Sequence, residues 1–149
     1  MTDLALTITR VFDAPRELVF EVWTNPDHLA KWWGPTGFTA ESVTVKLGEG
    51  GGWRTCIRDN ADGTERWTRG TYHEITPPQR LVFSFAWEEP KGTPGHDTLV
   101  TVTFDDRDGK TEMTFHQEIF ETVESRDGHV AGWTESFDDL TAYLKGMHA

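Results

Sequence analysis

The sequence has little cysteine and lacks long apolar runs. Cys56 is the single cysteine among 149 residues, which excludes an internal disulfide and a cluster of metal-bound thiolates. No apolar stretch approaches the roughly 18 residues that a membrane span requires, and the N-terminus has no basic region followed by an apolar one. We therefore expect a cytoplasmic protein that folds without disulfides.

Basic residues are also scarce. Fourteen Lys and Arg residues stand against 25 Asp and Glu residues, giving a formal net charge of -11. Such a surface repels phosphate backbones and anionic lipid headgroups, so neither nucleic acid nor membrane is an expected partner. The charge is most simply explained by solubility, and attraction to a basic protein is the alternative. The ordinary apolar content, 36%, predicts a single domain over residues 1–149.

Alternation of apolar and polar residues predicts seven strands. The strands cover residues 4–12, 38–47, 53–59, 65–75, 80–88, 98–105 and 110–120. The separators after residue 48 include Asp62-Gly63, Pro77-Pro78, the loop from Pro90 to Gly95, and Asp108-Gly109. Since these links are short, strands that follow one another in the chain should pair in an antiparallel sheet.

Helical spacing occurs in two places. Pro15 is placed to begin a short helix, and Asn25-Pro26 restarts a second one that reaches about Trp33. A long helix is predicted over residues 129–147, with an apolar stripe at Val130, Trp133, Phe137, Leu140, Leu144 and Met147. A twisted sheet of seven strands curls. The sequence therefore predicts an α+β helix-grip fold, in which a curved antiparallel sheet wraps the long helix and leaves a cavity.

Five motifs in order resemble a known family. They are Asp-Ala-Pro-Arg-Glu-Leu-Val-Phe at 13–20, Lys-Trp-Trp-Gly-Pro at 31–35, the glycine-rich approach to Trp53-Arg54, Pro-Pro-Gln-Arg-Leu-Val-Phe at 77–83, and Gly132-Trp133. Together they resemble the bacterial members of the family named for the activator of heat-shock-protein-90 ATPase homologue, within the START-like or SRPBCC superfamily. The resemblance implies a START-like, birch-pollen-allergen-like helix-grip fold with an internal, mostly apolar cavity.

The resemblance leaves the function open, because the superfamily also contains polyketide cyclases and lipid carriers. The chaperone-binding N-terminal domain of the eukaryotic co-chaperone has no counterpart in these residues, so the family name does not itself imply a chaperone partner. A stress-related, chaperone-regulating protein-binding module that uses the acidic surface remains one alternative. A homodimer formed through an exposed edge strand is another open possibility.

Aromatic residues dominate the candidate ligand site. Side-chain alternation places Phe85 and Trp87 on the inward face of their strand. By the same alternation, the inward residues of the next two strands are Val100, Val102 and Phe104, and Met113, Phe115 and Gln117. One of the two tryptophans before Gly34-Pro35 is expected at the mouth of the cavity. The candidate ligand-binding residues are Trp32, Trp33, Trp53, Trp67, His73, Phe85, Trp87, Phe115, Gln117, Trp133 and Phe137.

The inward face of the strand at 65–75 is ambiguous. His73 shares a face with Trp67, Arg69 and Ile75, while Tyr72 lies opposite. If the first face is the concave one, His73 and Arg69 are polar groups in an apolar pocket and could orient a ligand. Packing alone is the competing explanation for these residues, as it is for the aromatic ones.

Catalytic and metal motifs are absent from the sequence. His73-Glu74 has proline rather than histidine at position 77, no two histidines have ligand spacing, and the glycines at 48–52 lack the Lys-Ser/Thr of a phosphate loop. No metal, cofactor or catalytic residue is predicted. The leading hypothesis is a non-enzymatic binder of a small apolar or aromatic molecule. A polyketide cyclase, aromatase or hydrolase-like enzyme is the alternative, and its proton carrier would be His73, Tyr72, Arg69 or Tyr143.

Overall fold

A computed structural model describes residues 4–89 and 95–147. The predicted loop from Pro90 to Gly95 thus falls, except for Gly95, outside the described residues. The elements in chain order are β1 (Leu6–Phe12), α1 (Arg16–Thr24), α2 (Pro26–Leu29), β2 (Phe38–Val45), β3 (Gly52–Asp59), β4 (Glu65–Thr76), β5 (Arg80–Trp87), β6 (Thr98–Arg107), β7 (Lys110–Glu118) and α3 (Val123–Met147).

The strands form one curled antiparallel sheet that resembles half of a barrel. Their order is β1-β7-β6-β5-β4-β3-β2, so that β2 to β7 pair with their sequence neighbours and β1 pairs with β7. The hairpin between β6 and β7 turns at Asp108 and Gly109, both with positive φ, between the paired residues Arg107 and Lys110. This is the backbone that a two-residue Asp-Gly link favours. The predicted helix-grip fold is confirmed.

The concave face of the sheet carries the core. On β6, Val100, Val102 and Phe104 are 0% exposed, and Met113 and Phe115 on β7 are equally buried. Large side chains at every second position leave the opposite face of these strands to polar residues. The inward faces predicted for these two strands are therefore confirmed.

The two short helices close one side of the core. Helix α1 buries Val19, Val22 and Trp23. Helix α2 ends at Leu29, earlier than the predicted end near Trp33, and the chain continues through turns. Trp32 is 1% exposed and its indole Nε1 donates a hydrogen bond to the Val22 carbonyl at 3.0 Å, which fastens this turn to α1.

Helix α3 begins at Val123, six residues before the predicted start at 129. The Thr122 hydroxyl accepts a hydrogen bond from the backbone N–H of Ser125 at 3.0 Å, the contact expected of an N-cap. Most of the predicted stripe is buried, but Val130 and Met147 are 37% and 39% exposed. These two assignments were wrong, because the buried part of the stripe extends only from Trp133 to Leu144.

Candidate functional site

A cavity of about 300 Å³ lies between the sheet and the first half of α3. We call it the outer cavity. Strands β3, β4 and β5, the Trp33-Gly34-Pro35 segment and α3 all contribute to its wall. Its lining consists of Trp33, Gly34, Pro35, Ile57, Thr68, Phe85, Trp87, Glu124, Ser125, Gly128, His129, Gly132, Trp133 and Ser136.

Three aromatic rings form the deep wall of the outer cavity. Trp33 meets Trp133 edge to face at 5.2 Å between ring centroids, and Phe85 meets Trp133 at 5.7 Å. Gly34, with φ +109°, allows the chain to turn sharply directly after Trp33. The turn holds the Trp33 ring between α3 and the sheet, so an apolar ligand would meet aromatic surface on several sides.

Helix α3 presents small residues to the outer cavity on either side of His129 and on either side of Trp133. They are Ser125, Gly128, Gly132 and Ser136. A Cβ atom added at Gly128 or Gly132 would meet nothing within 4 Å. The larger α3 side chains in the lining are Glu124, His129 and Trp133. The glycines and serines beside them leave the volume open.

Trp87 and His129 form a hydrogen bond at the mouth of the outer cavity. The Trp87 Nε1–H donates to His129 Nε2 at 2.9 Å, and His129 Nδ1 lies 2.7 Å from the Ser125 carbonyl oxygen. Since a carbonyl only accepts and an indole N–H only donates, the neutral imidazole carries its proton on Nδ1. Burial lowers the pKa of His129, which favours this neutral form.

The same pair separates the outer cavity from an acidic cleft of about 310 Å³. Glu88, Glu121 and His96 contribute to the cleft, and Phe85, Trp87, Ser125 and His129 line both spaces. The polar and apolar regions are thus divided by one hydrogen-bonded pair of rings.

A second, smaller cavity of about 20 Å³ lies deeper in the core. We call it the inner cavity. Trp33 is the one side chain that lines both it and the outer cavity, so its ring divides them. The inner lining consists of Trp23, Leu29, Trp33, Val45, Trp53, Thr55, Tyr72 and Phe83. Within the described part of the chain, the buried indole nitrogens of Trp23 and Trp53 have no hydrogen-bond partner.

A buried polar network fixes Trp133 in place. The Gln117 Oε1 accepts from Trp133 Nε1 at 2.8 Å, and the Gln117 Nε2 donates to the Thr98 hydroxyl at 2.8 Å. Thr98 in turn donates to the Phe85 carbonyl at 2.8 Å. Each side-chain polar atom of this network has a partner, which holds the Trp133 indole in a single orientation.

The predicted site residues divide among several locations. Trp33, Phe85, Trp87 and Trp133 line the outer cavity, and Trp53 lines the inner one. Four others are buried in the core and line neither cavity: Trp32, Phe115, Gln117 and Phe137. Of the tryptophan pair, Trp33 takes the place at the cavity, whereas Trp32 packs against α1.

The inward placement considered for Trp67 and His73 was wrong. On β4 the buried side chains are Thr68 and Tyr72, and His73 is exposed. A bulge between Tyr72 and Glu74 shifts the register with β5. Ile75 consequently packs against the core although Trp67 faces outward. Trp67 and Ile75 were predicted to share one face of the strand, but the extra residue of the bulge places them on opposite faces.

Trp67 has a partner on the convex face. The Arg54 guanidinium lies 3.9 Å from the centroid of its ring, within the range of a cation–π contact. Arg54 also holds Glu88 through two hydrogen bonds of 2.6 and 2.8 Å, and this contact lowers the pKa of Glu88. Trp67 is thus part of an outer-surface cluster.

The proton carriers considered for an enzymatic function are dispersed. His73 is exposed on the convex face, and Tyr143 bonds His28 through its hydroxyl at 2.6 Å near the end of α3. Tyr72 lines the inner cavity, and burial raises its pKa to about 12. Arg69 shares the outward face of Trp67 on β4. None of the four lines the outer cavity.

Sequence reasoning did not identify His129 or the small residues of α3 as parts of the site. His129 sits four residues after Ser125 and four before Trp133, and Gly128 and Gly132 share the same spacing. Residues four apart lie on one face of a helix. That spacing was a usable signal, but small residues carry no weight in a search for apolar stripes.

Three potential metal ligands meet on the convex face. One ligand atom each from Glu41, Cys56 and Glu65 lies within 4.8 Å of the others. Burial raises the pKa of the Cys56 thiol, and a hydrogen bond that the protonated Glu65 carboxyl donates to Glu41 raises the pKa of Glu65. Both shifts favour protonated groups, whereas metal ligation needs a thiolate and a carboxylate.

Among the described residues, no helix is long and apolar enough to cross a membrane.

Solved structures of bacterial proteins share this architecture. The AHSA1 protein from Silicibacter pomeroyi superposes with a TM-score of 0.87 at 23% identity, covering 97% of this chain and 99% of the other. A protein from Arthrobacter aurescens gives a TM-score of 0.82 at 26% identity over 96% and 87% of the two chains. One from Chromobacterium violaceum gives 0.81 at 24% identity over 93% and 96%.

Among curated proteins none matches the sequence. The sequence model of one family does match, over residues 13–145, and its description is activator of Hsp90 ATPase homolog 1-like protein. The match spans α1 through nearly all of α3 and includes every segment that lines the outer cavity. The chain belongs to the activator of Hsp90 ATPase homolog 1-like family.

Proposed function

We propose that this protein binds a small, uncharged apolar or aromatic molecule in the outer cavity without transforming it. One observation carries the proposal: about 300 Å³ of open space is bounded by Trp33, Phe85 and Trp133 on one side and by glycines of α3 on the other. Small-molecule pockets begin at about this volume and are mostly apolar. Burial of apolar surface, at about 25 cal/mol per Å², would supply most of the affinity.

The polar groups of the cavity favour holding a ligand over acting on it. His129 has both ring nitrogens engaged by Trp87 and Ser125, and Glu124 is exposed at the rim. The Thr68 hydroxyl is shared with Thr55 at 2.6 Å. A general acid or base must reach the reacting atom with a free proton or lone pair. His129 and Thr68 use their protons and lone pairs on Trp87, Ser125 and Thr55, and Glu124 lies at the solvent-exposed edge rather than beside the aromatic wall.

The test is to fill the outer cavity from the helix side. Gly132→Met places a flexible side chain where a Cβ meets nothing within 4 Å. Gly146→Met is the matched control, since Gly146 has the same free space on α3 but lies outside the outer cavity. Binding is followed by the fluorescence of the neutral dye N-phenyl-1-naphthylamine.

We expect saturable dye binding by the parent protein and by Gly146→Met, and binding weaker by about tenfold or more in Gly132→Met, since overpacking costs about 1–3 kcal/mol. Unfolding in urea should show that Gly132→Met is no less stable, because methionine is a better helix former than glycine. Equal dye affinity in both variants, or no binding by the parent, would contradict the proposal.

A further inference from the structure

The core contains a hydrogen-bond donor that the protein itself does not satisfy. Trp53 is 6% exposed, and its indole N–H has no partner among the described residues. Buried polar groups in native proteins are nearly always paired, because leaving one unpaired is costly. An unpaired donor beside a cavity is therefore a place where a ligand can supply the acceptor.

The position of this nitrogen is fixed by Gly70. A Cβ added at Gly70 would lie 2.6 Å from Trp53 Nε1, so the indole nitrogen rests directly against the β4 backbone. On the same inward face of β4, Thr68 lines the outer cavity and Tyr72 lines the inner one. The nitrogen thus lies at the boundary between the two spaces, behind the ring of Trp33.

Trp33 is the wall that a ligand would have to displace to reach that boundary. Its ring contacts Trp53 at 5.7 Å and Trp133 at 5.2 Å, edge to face in both cases. The Trp33 N–H donates to the Leu29 carbonyl of α2 at 3.0 Å, so the backbone is held and the movement required is a rotation of the Trp33 side chain. A shift of this one indole joins the two cavities and adds the second unpaired donor, on Trp23.

The charges around the cavities select an uncharged acceptor. In the part of the chain that the structure describes, neither cavity is lined by lysine or arginine, and Glu124 lies at the outer rim. A carboxylate would enter this space without a counter-ion, at a high desolvation cost. A carbonyl oxygen carries the acceptor without the charge.

We propose that the ligand is a neutral, ring-bearing molecule with a carbonyl group, and that the carbonyl oxygen accepts a hydrogen bond from Trp53 Nε1–H once the Trp33 ring moves aside. This inference rests on the proposed function and adds the chemical class of the ligand. The ring system would occupy the outer cavity, and the carbonyl would point toward the inner one.

A matched pair of probes tests the proposal. 2-Acetylnaphthalene and 2-isopropenylnaphthalene have the same shape and differ in carrying an oxygen or a methylene group at one position. The affinity of each probe is measured by its competition with N-phenyl-1-naphthylamine in a titration. We expect the ketone to bind about tenfold more tightly than the alkene, because it satisfies a buried donor.

Two variants assign that preference to a residue. Trp53→Phe removes the N–H and should bind ketone and alkene equally, whereas Trp67→Phe removes a convex-face indole and should keep the preference. If Trp53→Phe does not fold, the parent protein decides the matter through its ¹⁵N-labelled indole N–H signals. One buried indole proton should then shift downfield with the ketone and not with the alkene.

The outcomes separate the two proposals. Equal affinity of the parent for both probes, or no indole proton shifted by the ketone, overturns the carbonyl assignment while leaving the binding function supported. Failure of both probes and of the dye to bind contradicts the binding function itself. A preference retained by Trp53→Phe assigns the acceptor contact to another group and overturns the inference.

Discussion

The two halves of helix α3 differ in what they bring to the sheet. After Trp133, the helix buries Phe137, Leu140 and Leu144, which are 0%, 0% and 2% exposed. Before Trp133, it faces the sheet mainly with glycine and serine and leaves the outer cavity open. One continuous helix therefore supplies stabilising contact with one half and empty space with the other.

The junction between the halves is Trp133. Its ring packs on Phe115 at 4.7 Å and on Phe137 at 5.7 Å, and its N–H is held by Gln117. The Trp133 side chain is thus fixed by the packed half of the helix and also forms part of the wall of the outer cavity. The shape of the outer cavity therefore depends on packing contacts that Trp133 makes outside it.

The two halves of α3 should differ most in the effect of a substitution at Phe137. Its ring contacts Phe115 at 5.3 Å, and the side chain is 0% exposed. Phe137→Ala should lower the free energy of unfolding by about 3–5 kcal/mol through lost burial and a cavity, as measured by urea denaturation. Val130→Ala, at a residue 37% exposed in the other half, should cost less than about 0.5 kcal/mol. Similar costs for the two would refute the division of the helix.

Gln117→Leu tests the junction. The substitution leaves the Trp133 N–H unpaired and removes one of the two hydrogen bonds of the Thr98 hydroxyl, which keeps its bond to the Phe85 carbonyl. The loss should cost about 1–3 kcal/mol in the free energy of unfolding. Adding Trp133→Phe removes one orphaned group, so the double variant should lose less than the sum of the two single losses. Additive losses in a double-mutant cycle would show that the two side chains do not act together.

The cavity half should also respond to acid. Because burial lowers the pKa of His129 from its ordinary 6.5, the unfolded chain binds a proton before the folded one does. His129 therefore adds stability at neutral pH, and this contribution is lost as the pH falls below about 6.5 toward the lowered pKa of the folded state. Protonation also turns Nε2 into a donor, which breaks the bond from Trp87, worth about 1 kcal/mol.

The measurement is the urea midpoint as a function of pH, compared with that of His129→Gln. The parent should lose more stability than the variant between pH 7 and 5, since glutamine does not titrate there. Parallel pH profiles would mean that His129 contributes nothing to the acid response. The comparison with the variant isolates His129 from the five other histidines of the sequence.

The smallest effect is expected on the outer surface of the packed half. Arg10 on β1 donates to Asp138 on α3 at 2.7 Å, but the Asp138 side chain is 66% exposed. Asp138→Asn should change the free energy of unfolding by less than about 1 kcal/mol. The change should shrink further in 0.5 M salt, where charges are screened. A loss as large as that of Phe137→Ala would mean that this ion pair, rather than the core, holds the helix.

The strands and the packed half of α3 could be predicted from the sequence because their side chains repeat with a clear period. The alternation at Val100, Val102 and Phe104 identified the inward face of β6, and the spacing of Phe137, Leu140 and Leu144 identified the buried stripe. In both cases large apolar residues on one face leave a single way to bury them.

The face of β4 could not be predicted, because the bulge at its centre changes the alternation within the strand. Trp67 and Ile75 are an even number of residues apart, yet one faces outward against Arg54 and the other faces the core. The residue types of this strand do not predict the extra residue of the bulge. His73, at the bulge, was therefore assigned to the wrong side when its face was taken as internal.

A cavity was expected from the fold, whereas the residues of α3 that line the outer cavity were not identified from the sequence. Gly128 and Gly132 leave the outer cavity open because they have no side chains. Apolar periodicity does not identify such residues. Likewise, the unpaired indole of Trp53 depends on where Gly70 lies across the sheet, which sequence alone does not fix.

The bare stretch of α3 makes the size of this site adjustable without changing the fold. A mutation at Gly128 or Gly132 adds atoms to open space and leaves the buried side chains of the sheet untouched. Members of this family could then diverge in the molecules they accept, one helix position at a time, while selection for folding acts on Phe137, Leu140 and Leu144. Under the proposed function, ligand preference and stability depend on separate turns of the same helix, so each can evolve with little effect on the other.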